Sequence, residues 1–147
     1  MLTLAFMVAA ATFVIVVTAV LLHYEASALL SRFVTVTRLP QRPRMLVLIF
    51  GLLAAHVAEI WLFGIGGWLL LGVPGSGTLV GAAEHDRLLD VIYFSATSYT
   101  TLGYGDVAPV GHVRFLFSTE ALTGLVLITW SASLTFLEMQ RHWERKH

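Results

Sequence analysis

The stretch Thr100-Thr101-Leu102-Gly103-Tyr104-Gly105-Asp106 joins hydroxyls, two alternating glycines and a terminal acid. Glycine reaches backbone angles at which the Cβ of any other residue collides. Gly103 and Gly105 therefore allow successive carbonyls to point toward one axis, which neither a helix nor a strand permits. A ring of such carbonyls can replace the water around a dehydrated monovalent cation. The chemistry on offer is coordination rather than bond-making. The plainer reading, a glycine turn ahead of a helix, does not explain the short apolar stretch in front of it. Other groups capable of chemistry are few. His56 and Glu59 stand one helical turn apart but lack the second histidine of a His-Glu-x-x-His metalloprotease, and read as a helix-contact pair. Glu84-His85-Asp86 are adjacent in sequence, which seldom lets side chains converge on one ion, and read as a solvated loop. No nucleophile, base and metal set can be assembled, so the chain is not read as an enzyme.

Composition says what surrounds these groups. The chain is 57% hydrophobic and 12% charged, with formal net charge zero and mean hydropathy +0.80. Soluble domains carry about 25% charged residues, so this is read as an all-α membrane protein. There is no cysteine, hence no disulfide or thiolate site. Leu2 to Leu22 is apolar apart from Thr3, Thr12 and Thr18, which can bond back to their own helix; about 20 such residues cross the hydrocarbon. Ala26-Ser27-Ala28 resembles a signal cleavage site, but no Lys or Arg precedes the run and it exceeds a signal core of about 7–15 residues. A retained span is expected. His23 to Pro43 is read as a connector, with Tyr24 to Val36 either extending the helix or lying in the interface until Pro40 and Pro43 stop it. It holds Arg32, Arg38 and Arg42, followed by Arg44. Nucleic-acid binding by a segment pinned between spans is discounted.

Met45 to Leu71 reads as the second span, with Gly51, Ala55 and Ala58 suited to close helix contact and Gly64, Gly66 and Gly67 loosening its end. Val73 to Arg87 reads as an exposed loop. Leu88 to Thr100 is too short to cross: an eleven-residue helix with Asp90 as N-cap would be about 16 Å long. A half-helix followed by irregular backbone is tolerated at membrane depth only where protein or a water-filled cavity surrounds it. That describes a re-entrant loop, with the negative end of the helix facing the cavity. The last span is Phe115 to Leu137. Of nine Lys and Arg, all but Arg87 and Arg114 lie in the connector or the tail, so both basic segments are expected to be cytoplasmic and the amino terminus external.

With these elements around it, Thr101 to Asp106 closely resembles the selectivity filter of potassium channels, with Leu102 where valine is commoner. The resemblance covers roughly Met45 to Leu137 and implies a homotetramer of three transmembrane helices per chain plus a re-entrant pore helix and filter. It divides the chain into residues 1–44, a first span with a basic connector, and a pore domain at 45–147. Within that domain it gives an outer helix at 45–71, a pore helix at 88–100, the filter at 101–106 and an inner helix at 112–140. It implies K⁺ held by the carbonyls of Thr101, Leu102, Gly103 and Tyr104 and the Thr101 hydroxyl, with Gly105 completing the filter and Asp106 attracting cations at the mouth. Tyr104 would brace against the half-helix, where Tyr93 and Phe94 match an aromatic cuff and Thr97 and Thr100 support the filter from behind. Some relatives carry a glutamate at the position of Thr97 that pairs with the aspartate; that brace is missing here. Gly124 matches a hinge glycine, or serves helix packing.

No cofactor beyond permeant K⁺ is implied, and the partners are three further copies and a bilayer, the plasma or inner membrane. The alternatives kept are a non-selective monovalent cation channel and a regulatory or assembly subunit. The tail after Leu137 is too short for a nucleotide- or calcium-binding domain, so the gating stimulus is unread.

Two further expectations concern the last span. Glu120 costs about 2.5–3.5 kcal/mol at the bilayer centre, so it must meet protein or water. Counting about 18 Å from Arg44 to His56 and about 12 Å from His112 to Glu120 puts both at one depth and suggests a His56–Glu120 pair. Glu59 competes as partner; water behind the filter and separate backbone bonds are the other readings. The stripe Glu120, Gly124, Leu127, Ser131, Thr135, Glu138 follows helical spacing and lines a wet pathway, unless Leu125, Ile128 and Ala132 do.

Overall fold

A computed structural model describes residues 2–37, 40–81 and 88–144. Arg38, the Glu84-His85-Asp86 loop, Arg87, Arg145 and Lys146 lie outside the described residues. The order is α1 (Leu2–Val36), α2 (Gln41–Leu71), β1 (Gly77–Val80), α3 (Leu88–Tyr99), β2 (Ala108–Gly111) and α4 (Arg114–Glu144). Among the described residues three helices are long and apolar enough to cross a membrane: Leu2–Val36, Arg42–Leu71 and Arg114–Arg141, with mean hydropathies of 2.7, 2.2 and 1.4.

α1 continues unbroken through the first part of the stretch read as a connector, to Val36, so Tyr24 to Val36 extends the helix. At 1.5 Å per residue it is about 52 Å long, well beyond a hydrocarbon core of about 30 Å. Thr12 and Thr18 donate to the carbonyls of Val8 and Val14, each at 2.8 Å, as their apolar setting demands. Pro40 caps α2 from outside, at φ −55° and ψ 155°. Pro43 sits in the first turn, where a missing N–H breaks no helical bond, so α2 begins at Gln41 rather than at Met45. Gly64, Gly66 and Gly67 do not loosen α2. They are where Ile92, Ile15 and Phe117 lie against it. Gly51 meets Leu30 in the same way, and Ala55 is buried, whereas Ala58 is exposed.

Between α2 and α4 the chain makes two short strands, β1 within the Val73 to Arg87 stretch read as a loop and β2 in a stretch after the filter that the sequence reading left unassigned. β1 and β2 pair antiparallel, with Gly77 opposite Gly111 and Val80 opposite Ala108. The buried Ser76 fastens them to the helices: its hydroxyl donates to the Leu70 carbonyl at 2.5 Å, and its carbonyl accepts from the Val113 N–H at 2.9 Å. The core lies where α3 enters between α2 and α4, with Phe63, Val91, Phe94, Tyr99, Leu116 and Phe117 all buried. Phe94 meets Phe117 edge-on, ring centroids 4.7 Å apart. Large apolar side chains such as Phe13, Phe50, Leu122 and Phe136 cover the outer faces, as expected of helices solvated by lipid.

Candidate functional site

α3 ends at Tyr99, and the chain then runs as irregular backbone to Val107. The helix end holds its start: the Thr101 N–H donates to the Ser98 carbonyl at 2.9 Å, and the Gly103 N–H to the Thr97 carbonyl at 3.2 Å. The Thr100 hydroxyl folds back to the Ala96 carbonyl at 2.7 Å. Asp90 is the third residue of α3, in its first turn rather than at its N-cap. Its carboxylate still lies at the positive end of the helix dipole.

Positive φ recurs at every second residue: +60° at Thr101, +51° at Gly103 and +81° at Gly105. Leu102 and Tyr104 are not among the positive-φ residues, so the sign of φ alternates along the segment, which is what a backbone must do to aim successive carbonyls to one side. Thr101 is β-branched, a residue type for which positive φ is strained, and strain of this kind collects at functional sites. The whole segment is solvent-facing in the single chain, with Leu102 60% and Tyr104 69% exposed. No atom lies within 4 Å of where a Cβ on Gly103 or Gly105 would stand. A groove of about 360 Å³ opens beside it, with Thr97, Thr101, Gly103, Pro109 and Phe117 among its lining residues.

Asp106 is held by two donors, the Tyr93 hydroxyl at 2.8 Å and the Val107 N–H at 3.1 Å. The carboxylate pushes the Tyr93 phenol above its ordinary pKa, because the hydrogen bond needs the proton. Thr97 is buried and its hydroxyl turns back to the Phe94 carbonyl at 2.9 Å. The position lacking an acid thus supports the segment through its backbone carbonyl, while Tyr93 takes up Asp106. Tyr93 and Phe94 divide the work: Tyr93 faces out to Asp106, and Phe94 faces in to Phe117.

His56 and Glu120 are not brought together. Glu120 is fully buried and accepts from the Ser95 hydroxyl; its second oxygen has no protein partner. Ser95 also lies 2.8 Å from the Ile60 carbonyl, so Glu120 stands nearer the level of Ile60, about one turn beyond His56. Counting rise per residue from Arg44 and His112 carries no information about which face of each helix turns to which neighbour, and that is what separates the two. His56 instead binds Glu59 at 3.1 Å, the Tyr99 hydroxyl at 2.8 Å and Ser131 at 2.9 Å. Glu59, the competing partner, also receives the Tyr99 hydroxyl and, at 2.9 Å, Nδ1 of His23.

His23 was missed as a functional residue, having been assigned to the connector; it is fully buried on α1. The signal was present: the buried residues of α1, Val8, Thr12, Ala19, His23, Ser27 and Val34, recur at helical spacing. Gly124 is packed rather than bent. α4 runs through it unbroken, and a Cβ there would lie 2.1 Å from the Tyr99 carbonyl oxygen. Glu120, Leu127, Ser131 and Glu138 are buried against the rest of the chain, so the polar stripe does not line an open face; Leu125, Ile128 and Ala132 are exposed. Glu138 is bound by Arg44 at 2.5 Å and Arg141 at 2.8 Å, tying the start of α2 to the end of α4.

A family model described as "Ion channel" matches residues 45–141. Similar curated proteins include the voltage-gated delayed rectifier potassium channel KCNH5 of Homo sapiens, 29% identical over 133 residues, which cover 70% of this chain and 13% of that protein. The Mus musculus protein of the same name matches with the same figures. Protein LctB of Bacillus caldotenax is 33% identical over 66 residues, 41% of this chain and 49% of that protein. The chain thus spans about an eighth of the length of the KCNH5 proteins and about half that of LctB. No solved structure matches it.

Proposed function

The chain belongs to the ion channel family, and on that premise we propose that it is a K⁺-selective pore subunit conducting passively through Thr101 to Gly105. The observation that carries the reading is the alternation of positive φ at Thr101, Gly103 and Gly105 in an exposed segment behind a buried half-helix. Carbonyls on one side of a single strand can enclose an ion only when further strands complete the ring. Four copies about an axis supply it, and residues 45–147 form the pore unit, with α2 as outer, α3 as pore and α4 as inner helix. The exposed Tyr104 then has a place to go: the groove beside Thr97 and Gly103 faces a neighbouring copy, and a phenol from that copy braces the ring. Asp106, held by Tyr93, presents negative charge at the mouth. The exposed Leu125, Ile128 and Ala132 line the inner cavity.

Selectivity is the finer half of this reading. The similarity to potassium channels supports it, as does a filter segment anchored at both ends, by Thr97 and by Tyr93. Planar bilayers containing the purified protein, with K⁺ on one side and Na⁺ on the other, test it. A reversal potential close to the K⁺ equilibrium value is expected; one near zero returns the protein to the non-selective class, and no current at all to an assembly subunit.

A further inference from the structure

Among the described residues, one cluster lies behind the pore helix and has no part in the ion coordination just described. His23 on α1 and His56 and Glu59 on α2 each offer a ligand atom, and these atoms lie within 4.8 Å of one another. His23 and Glu59 are fully buried, and the His56 side chain is 14% exposed. Tyr99, the last residue of α3, adds a fourth donor: its hydroxyl is 2.8 Å from His56 Nδ1 and bonded to Glu59. We propose that His23, His56, Glu59 and Tyr99 form an intramembrane site for a Zn²⁺-class divalent ion that staples α1 to the channel core.

Donor type gives the ion class. Two imidazoles with a carboxylate and a phenol oxygen suit late first-row divalent ions rather than K⁺, Ca²⁺ or Mg²⁺, which take oxygen. Four protein ligands make a closed set, the arrangement of a structural rather than a catalytic ion. Ligands around a tetrahedral Zn²⁺ stand about 3.4 Å apart, so the hydrogen-bonded pairs, at 2.8–3.1 Å, open slightly as the ion replaces their protons, while the widest separation, up to 4.8 Å, closes by about an ångström. Glu59 offsets half of the ion's charge, and the Tyr99 phenolic proton, given up to bulk water through the cleft beside His56 as the phenolate binds the ion, offsets the rest.

The shell around the cluster fits the same state. Both Nδ1 atoms face Glu59, at 2.9 and 3.1 Å. Both Nε2 atoms face one oxygen, Ser131 Oγ, at 3.3 Å from His23 and 2.9 Å from His56. A serine hydroxyl has one hydrogen to give but two lone pairs to accept with. With an ion on both Nδ1 atoms, each ring carries its hydrogen on Nε2, and Ser131 accepts both. Metal-bound histidines commonly donate their second ring N–H in this way, which fixes the tautomer. Access is through a cleft of about 220 Å³ whose wall includes His56, Ser131, Leu53 and Thr135.

The test is titration of the full-length protein in detergent micelles with Co²⁺ as a spectroscopic probe, then Zn²⁺ in competition. Stoichiometric binding is expected, with the visible absorption of four-coordinate Co²⁺, bleached by Zn²⁺. His23→Gln and Glu59→Gln should abolish the bands, Ser131→Ala should weaken affinity about 10–100-fold, and His112→Gln should leave both unchanged. Should the ligand variants fail to fold, the wild-type spectrum and the Ser131→Ala shift decide alone. Absence of the bands in the wild type, or bands that survive His23→Gln in folded protein, would overturn the site. None of these readouts requires conduction, so they stand or fall separately from the K⁺ reading.

Discussion

At Gly105 the backbone turns through φ +81° with open space where a Cβ would stand, so the residue is required by conformation and not by crowding within its own chain. Forcing an L-residue into the left-handed region costs about 1–2 kcal/mol, a small part of the stability of a helical core. Gly105→Ala should therefore fold and melt within a few degrees of the wild type, yet lose K⁺ flux from proteoliposomes, because a relaxed φ turns one carbonyl off the axis. At Gly103, φ +51° lies in the region that other residues occasionally occupy. Alanine there is expected to be the milder change, cutting flux without abolishing it, which softens what a glycine-only segment suggests from sequence. Tyr93 carries a different test. Its phenol donates to Asp106 and has its pKa raised by that carboxylate. A raised pKa means that the bond contributes fully below the ordinary tyrosine value and is lost only as pH rises through the higher one. Tyr93→Phe should thus speed the decline of current during sustained recording at neutral pH. The wild type should show the same loss only in strongly alkaline solution, well above pH 10.

The elements owe their positions to a few close approaches, and between helices that of α4 to the end of α3 is the tightest. Gly124 lets the Tyr99 carbonyl come where a Cβ would stand, 2.1 Å away; since the neighbour is backbone, it has no rotamer to yield. Gly124→Ala should lower stability by about 1–3 kcal/mol, the usual cost of overpacking, read as a lower melting temperature in detergent, and it should shift Tyr99 with α4. A hinge role alone predicts altered gating with an unchanged melt. Much of this architecture was legible beforehand. Long apolar runs gave α1, α2 and α4, a run too short to cross gave α3, and alternating glycines marked the segment after it. What stayed hidden depends on which face of a helix turns inward. His56 and Glu120 seemed level when counted along their helices, but Ser95 and Ser131 are what they meet. His23 went unnoticed because it was placed in the connector, where an extended helix was only one of two readings, whereas α1 runs through it to Val36. β1 and β2 lie in short glycine-bearing stretches whose pairing is set by distant anchors such as Ser76, and local sequence carries little of that.

For the whole molecule the open question is direction across the membrane, and the packing bears on it independently of charge counting. Leu4, near the start of α1, lies 3.3 Å from where a Cβ on Gly75 would stand. The amino end, the β1–β2 ribbon beyond α2 and the segment after α3 therefore occupy one side of the molecule. Arg44, Glu138 and Arg141 are bound together at the other, and Arg32 and Arg42 lie toward that side along α1 and α2. Arginines near the ends of spans favour the cytoplasm, so the orientation we propose has the amino end and Asp106 outside together. The two features cannot be separated by turning the protein over, so locating either one fixes both. The native chain has no cysteine, which makes single introduced thiols clean reporters. Thr3→Cys should react with a membrane-impermeant maleimide on intact cells, and Gln41→Cys only after permeabilisation. Labelling of Gln41→Cys on intact cells would invert the orientation and carry the filter mouth to the cytoplasmic side.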